Sequence, residues 1–154
     1  MSGYHTAEGV AAEVKRRLQT CTVAQGAETD LGVSVLHGQA AVEADMAPCC
    51  KLVEGDDVPG RSNARTDYEI EQRFAVIAYL PCDNETPMVA AHAGVRDIKR
   101  ALFKTAGRAD PRWGGTIKSI DYLGKQMGFR AAGERMVLAI VEFAVVYVEN
   151  VAEP

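Results

Sequence analysis

The last segment of the chain constrains its fold more than any other. From Met136 to Val148 the sequence reads MVLAIVEFAVVYV, with Glu142 as its single charge. The run is shorter than the roughly 18 apolar residues that a membrane-spanning helix needs. Its density of Val, Ile, Phe and Tyr favours a strand over a buried helix, which is the competing reading. A strand apolar at nearly every position predicts a central strand covered on both faces. Glu142 then either marks the limit of the covered region or meets an arginine of a neighbouring strand or subunit, because a buried carboxylate needs a partner.

A central strand needs neighbours, and Thr66–Leu80 supplies the clearest one. Tyr68, Ile70, Phe74, Val76, Ala78 and Leu80 alternate there with Glu69, Glu71, Arg73, Ala75, Ile77 and Tyr79. Period-two alternation is the mark of a strand. Its first half has one charged face, turned to solvent or a partner, and Pro81 removes a ladder donor and ends it. Shorter strands are predicted at Val33–His37, at Cys49–Glu54 and at Ile117–Lys125. Gly55-Asp56-Asp57 is expected to stop the second of these, and VPGRSNAR reads as a loop by its Pro, Gly, Ser and Asn. ADPRWGGT and the stretch from Gly128 to Gly133 read as a loop and a turn.

Two helices flank these strands. Ala7–Thr20 carries Val10, Val14 and Leu18 on one stripe, with Thr6 as N-cap and Lys15, Arg16 and Arg17 at the end where cations suit the dipole. A second helix begins at Thr86-Pro87, with Pro at the first helical position. Met88, Ala91, Val95, Ile98 and Leu102 form its stripe, and Gly107 is expected as its C′ residue. The order helix, short strands, long strand, helix, hairpin predicts an α+β fold: a mainly antiparallel sheet with two helices packed on one face.

At 154 residues the chain has room for one domain, expected to span residues 1–154. The opening MSGYHTAEGV lacks the basic and apolar regions of a signal peptide. Reduced, mostly buried thiols are therefore expected at Cys21, Cys49, Cys50 and Cys82, whose spacing fits no zinc motif. The net charge of −4 conceals a division. Met1–Val95 holds 7 basic and 14 acidic residues, Arg96–Arg135 holds 10 and 4, and Met136–Pro154 holds none and 3. This excludes a uniformly basic nucleic-acid coat and suggests two surfaces of opposite sign.

Catalytic patterns are scarce. No nucleophile elbow, phosphate-binding glycine loop or HExxH zinc motif occurs. His5, His37 and His92 fall in separate elements. His92 reads either as a general base or as a boundary residue making one hydrogen bond. Glu54, Asp56 and Asp57 offer oxygen ligands without EF-hand spacing, and a solvated turn is the simpler reading. No catalytic, cofactor or metal residue is assigned, and an enzyme is not expected. A small His- or metal-dependent hydrolase using His92 or the Asp56-Asp57 turn is the last-ranked alternative. Arg96, Lys99, Arg100, Lys104, Arg108 and Arg112 form a basic run with three readings: a solvated face, a phosphate contact or a subunit interface to the acidic surface. Trp113 is either an exposed interface anchor or a side chain tucked over the core edge. Asp67, Glu69 and Glu71 give the long strand an acidic start able to pair across a subunit boundary.

The helix AHAGVRDIKRALF, the stretch RWGGTIKSIDYLGKQMG and the strand RMVLAIVEFAVVYVEN together resemble the tail terminator proteins of long-tailed bacteriophages. TDLGVSVLHGQ followed by APCCKLVEGDD resembles the corresponding region in Mu-like siphophages. The resemblance implies a non-enzymatic virion protein: a ring, a hexamer in that family, that caps the tail tube and ends its polymerisation. Its partners would be further copies of itself, the tail tube protein and a head–tail connector, with DNA only as cargo passing through the lumen and no membrane. It implies assembly in the host cytoplasm and a place at the head-proximal end of the tail. Related neck and tail-completion proteins are the alternative. No short family motif transfers a site, so the ten interface residues named above rest on charge and exposure alone.

Overall fold

The structure, a computed structural model, describes residues 3–38, 42–62, 66–128 and 135–154. Its centre is a five-stranded sheet in which β1 (Val35–His37), β2 (Cys49–Ser62), β3 (Asp67–Pro81), β7 (Met136–Asn150) and β6 (Ser119–Met127) lie side by side in that order. β1 runs parallel to β2, and every other neighbouring pair is antiparallel. Two two-residue strands, β4 (Lys104–Thr105) and β5 (Arg108–Ala109), form a separate hairpin. The helices α1 (Ala7–Leu18) and α2 (Pro87–Phe103) pack on one face of the sheet, as an α+β fold requires. Among the described residues no helix is long and apolar enough to cross a membrane.

The sequence period sets this layering. Ile70, Phe74, Val76, Ala78 and Leu80 of β3 pair in register with Tyr147, Phe143, Val141, Ala139 and Val137 of β7, and all are buried. Phe74 and Phe143 stack with ring centroids 5.3 Å apart. Val10, Val14 and Leu18 of α1 and Val95, Ile98 and Leu102 of α2 close over this face. Burying an aliphatic side chain of this kind stabilises by roughly 1.5–3 kcal/mol. At Gly94 the helix lies so near β3 that an added Cβ would overlap the Leu80 side chain.

β7 is central, yet among the described residues it is covered on one face only, contrary to expectation. Ala75, Ile77, Tyr79, Leu138 and Ile140 form the opposite face and are half-buried by one another. Glu142 stands on this open face and is exposed. The apolar run therefore reflects a buried inner face and a shared, partly wet outer one.

β2 is the larger departure. It does not stop at Glu54 but continues to Ser62, paired with β3 throughout. Register shifts between Glu54 and Asp57 and between Pro59 and Ser62 absorb the turn-forming residues as bulges. Of the stretches read as loop and turn, 58–65 and 128–133, residues 63–65 and 129–133 lie outside the described residues. Ends move elsewhere by a few residues: α1 stops at Leu18, and a 3-10 turn over Leu31–Val33 precedes β1. Thr6 caps α1 by accepting from the Gly9 N–H at 3.0 Å. Thr86 caps α2 only by position; its hydroxyl bonds to Asp83, whose carboxylate accepts from the N–H groups of Glu85 and Thr86. Gly107 is not a helix cap. α2 ends at Phe103, and Ala106-Gly107 turns the β4–β5 hairpin, both at positive φ.

Candidate functional site

The basic run divides once folded. Arg96 and Arg100 reach back to Glu28, at 2.8 Å and 3.0 Å, so these charges are met within the chain. The Arg96 hydrogen bond and both guanidinium charges hold the Glu28 carboxyl down at about 2. Between the two arginines, buried Asp97 accepts from the Glu28 N–H at 3.0 Å and the Thr29 N–H at 2.8 Å, and from the Thr29 hydroxyl. This side of α2 fastens the loop after α1. Lys99 lies over the Tyr122 ring, 4.4 Å from its centroid, a cation–π contact to the edge strand β6.

Lys104, Arg108 and Arg112 behave differently. The first two sit on the β4–β5 hairpin, whose six residues from Lys104 to Ala109 are all exposed. None of the three forms an ion pair among the described residues. The hairpin beneath them is fixed by buried Arg17. That guanidinium donates to Glu13 Oε1 at 3.0 Å, to the Ala101 and Lys104 carbonyls at 3.3 and 3.0 Å, and to Thr105 Oγ1 at 3.1 Å. It also stacks on Trp113, 4.7 Å from the ring centroid. Trp113 Nε1 donates to the Leu102 carbonyl at 2.8 Å. The Asp110 N–H closes the base on the Phe103 carbonyl at 2.9 Å. The Gly114 N–H, then the Thr105 hydroxyl, hold the Asp110 carboxyl below the ordinary carboxylate value.

Trp113 is thus 4 % exposed and belongs to the core edge, so it is not available as an exposed interface anchor. Arg17 and Glu13 are the residues that sequence reasoning missed. Arg17 reads as one of three cations in the last turn of a helix, and nothing local separates it from exposed Arg16. Burial pushes the Glu13 carboxyl up, but hydrogen bonding and charge from Arg16, with the charge of Arg17, outweigh it and leave the group below its ordinary value.

The acidic residues gather at the other end of the sheet. Among the described residues β1 pairs only with Cys50–Leu52, which leaves the distal half of β2 as an edge. Glu54, Asp56 and Asp57 on it are exposed. Glu54 meets His37 at 3.0 Å, while Asp56 and Asp57 have no ion pair among the described residues. Glu69 and Glu71 lie on the open face nearby, Glu69 within 3.7 Å of Lys118, with Asp67 at the start of the same strand. Tyr147 records the local field. Burial chiefly, then the charges of Glu149 and Asp57, push its phenol well above the ordinary value.

Groups suited to catalysis stay apart. His5 lies 3.4 Å from the Val148 carbonyl, His37 pairs with Glu54, and His92 is exposed on α2. Among the described residues no three His, Cys, Asp or Glu side chains gather to hold a metal. The four thiols are free, and Cys49 and Cys50, neighbours on opposite faces, are both buried. Burial, with the charge of Asp97, pushes the Cys21 thiol up to about 12, far from the thiolate that reacts. A cleft of about 460 Å³ beside the hairpin is lined by Arg16, Arg100 and Lys104. Another of about 390 Å³ at the far end of α2 is lined by Pro48, Leu80, Val89 and Ala93 with Asp30 and Asp83.

No protein-family model and no curated protein matches the sequence. In structure, the chain is similar to a chain from the virion of a native gene transfer agent particle. The TM-score is 0.53 at 14% identity, covering 89% of this chain and 96% of that one. At this identity the likeness is one of fold, and it runs nearly end to end in both chains.

Proposed function

We propose that the chain is a structural protein of a phage-like virion and that it acts as a tail terminator. In this reading it forms a ring, a hexamer, on the head-proximal end of the tail tube, ends tube polymerisation and offers the head-joining surface. The tail tube protein and a head–tail connector are its partners, and it performs no chemistry of its own. The observation that carries the proposal is the near end-to-end fold likeness to a virion chain. The charge layout agrees with it: among the described residues, cations with no ion pair on the β4–β5 hairpin and carboxylates with none on the β2 edge are unlike patches. Head-to-tail contact of unlike patches generates a closed ring when the rotation between subunits closes.

The test is to add the purified chain to its tail tube protein and follow tube length by negative-stain microscopy. Tubes of limited length with a ring at one end are expected. A strict monomer, both alone and with tubes, would sink the proposal. Binding to isolated heads lacking tails would move the chain to the head side of the joint.

A further inference from the structure

Resting on the ring reading above, we infer that the β4–β5 hairpin of one subunit docks, through Lys104 and Arg108, on the acidic edge of β2 in a second copy of the chain, at Asp56 and Asp57. Arg112 flanks the contact on the hairpin side.

Three observations converge on this pairing. The hairpin is held by more contacts than its own two residue pairs supply. Two residue pairs, Lys104 with Ala109 and Thr105 with Arg108, would not hold alone in water. Arg17, Trp113 and Asp110 fix it from below, and Ala106 holds a positive φ of 51° at its tip, a conformation costly for a residue with a Cβ. A preorganised tip loses little freedom on docking. Its cations also stand in contrast to those of α2, because Arg96 and Arg100 are met by Glu28 and these have no ion pair among the described residues.

The acidic edge is the second element. Past Leu52 no strand among the described residues covers the outer side of β2, and Gly55 and Asp56 form a bulge that turns the edge away from regular pairing. Such an edge resists indiscriminate strand addition yet presents carboxylates on a firm backbone. Third, the patches adjoin opposite edges of the sheet: the distal half of β2 is one edge, and the hairpin leads into Pro111, whose carbonyl accepts from the Ile120 N–H of β6, the other edge, at 2.9 Å. One copy's hairpin can meet the next copy's edge while its own edge stays free, the repeating contact that a ring needs. Opposite charge orients and speeds such an encounter.

A charge exchange tests this. The double variant Lys104→Glu/Arg108→Glu carries acid on both patches, and Asp56→Lys/Asp57→Lys carries base on both. Every substituted side chain is exposed, so thermal melting of both variants should match the wild type. By native mass spectrometry the wild type should form rings, and each variant alone should lose ring population by about tenfold or more, since like charges face each other. Mixing the two folded variants should restore rings of even subunit number, with the variants alternating.

Rings from either variant alone at wild-type yield, or no rings from the mixture, would overturn the inference and leave the ring reading standing. A wild type that stays monomeric would overturn the ring reading itself. Variant rings that assemble normally but lose retention of duplex DNA in a mobility-shift assay would assign the hairpin to nucleic acid and overturn the inference.

Discussion

At the corner where α1 meets the β4–β5 hairpin, Glu13, Arg17 and Asp110 each face a partner in their own chain. Along the distal edge of β2, Asp56 and Asp57 face water. Both regions are charged, but the first has the signature of a folding device and the second that of a surface kept for something else. A buried charge must be matched within the fold because its desolvation is costly. An exposed one carries no such requirement, so its sign can be set by a partner. The contrast also divides the basic run: Arg96 and Arg100, though exposed, are met within the chain by Glu28, while Lys104 and Arg108 have no ion pair among the described residues.

Arg17→Met should break the first region most severely. Removing Arg17 leaves Glu13 to Arg16 alone and strips the four hydrogen bonds by which the guanidinium ties α1 to the hairpin, a loss of about 3 kcal/mol or more. Denaturant unfolding monitored by Trp113 fluorescence reads this directly, since the ring loses its stacked guanidinium. Asp97→Ala comes next. It removes three hydrogen bonds from the loop after α1 to a carboxylate, and a loss of about 2–3 kcal/mol is expected. Faster amide exchange confined to the loop containing Glu28 and Thr29 would locate the damage.

Acid should act on the same side of the comparison. The carboxyls of Glu28 and Glu13 both sit below their ordinary 4.5 when folded, Glu28 at about 2. The unfolded chain therefore takes up protons first as pH falls. The stability these groups contribute is present above about pH 4.5 and is lost as pH drops toward 2. Glu28→Gln should flatten the decline of melting temperature across that window; an unchanged slope would remove the Arg96–Glu28–Arg100 cluster from the account. The smallest effect belongs to the acidic edge. Asp56→Asn/Asp57→Asn should change stability by no more than about 0.5 kcal/mol, the usual range for surface sites without intramolecular roles. A large loss there would erase the distinction between the regions.

What was legible in the sequence follows the same physics. Alternation over Thr66–Leu80 and the stripe of Met88, Ala91, Val95, Ile98 and Leu102 announce β3 and α2, because each pattern has one buried face and one period. The distal half of β2 was not legible. An edge strand uses Gly, Pro and Asp in its bulges to discourage stray pairing, and those residues also make turns. Gly107 suited a helix cap and a hairpin turn equally, since both need positive φ. The Arg17–Trp113 contact joins residues distant in sequence, so no periodicity could show it. The open outer face of β7 was hidden for a related reason: half-buried and fully buried apolar residues look alike in a string.

The central claim is that the pinned hairpin and the bare acidic edge are the two halves of one contact between copies. A cryo-electron-microscopy reconstruction of the assembled protein at side-chain detail tests it most directly. The expected result is a closed ring in which Lys104 and Arg108 of each subunit lie within ion-pair distance of Asp56 and Asp57 of the next, with the Arg17–Trp113 stack unchanged. A ring whose β2 edge and β4–β5 hairpin both face solvent would contradict it.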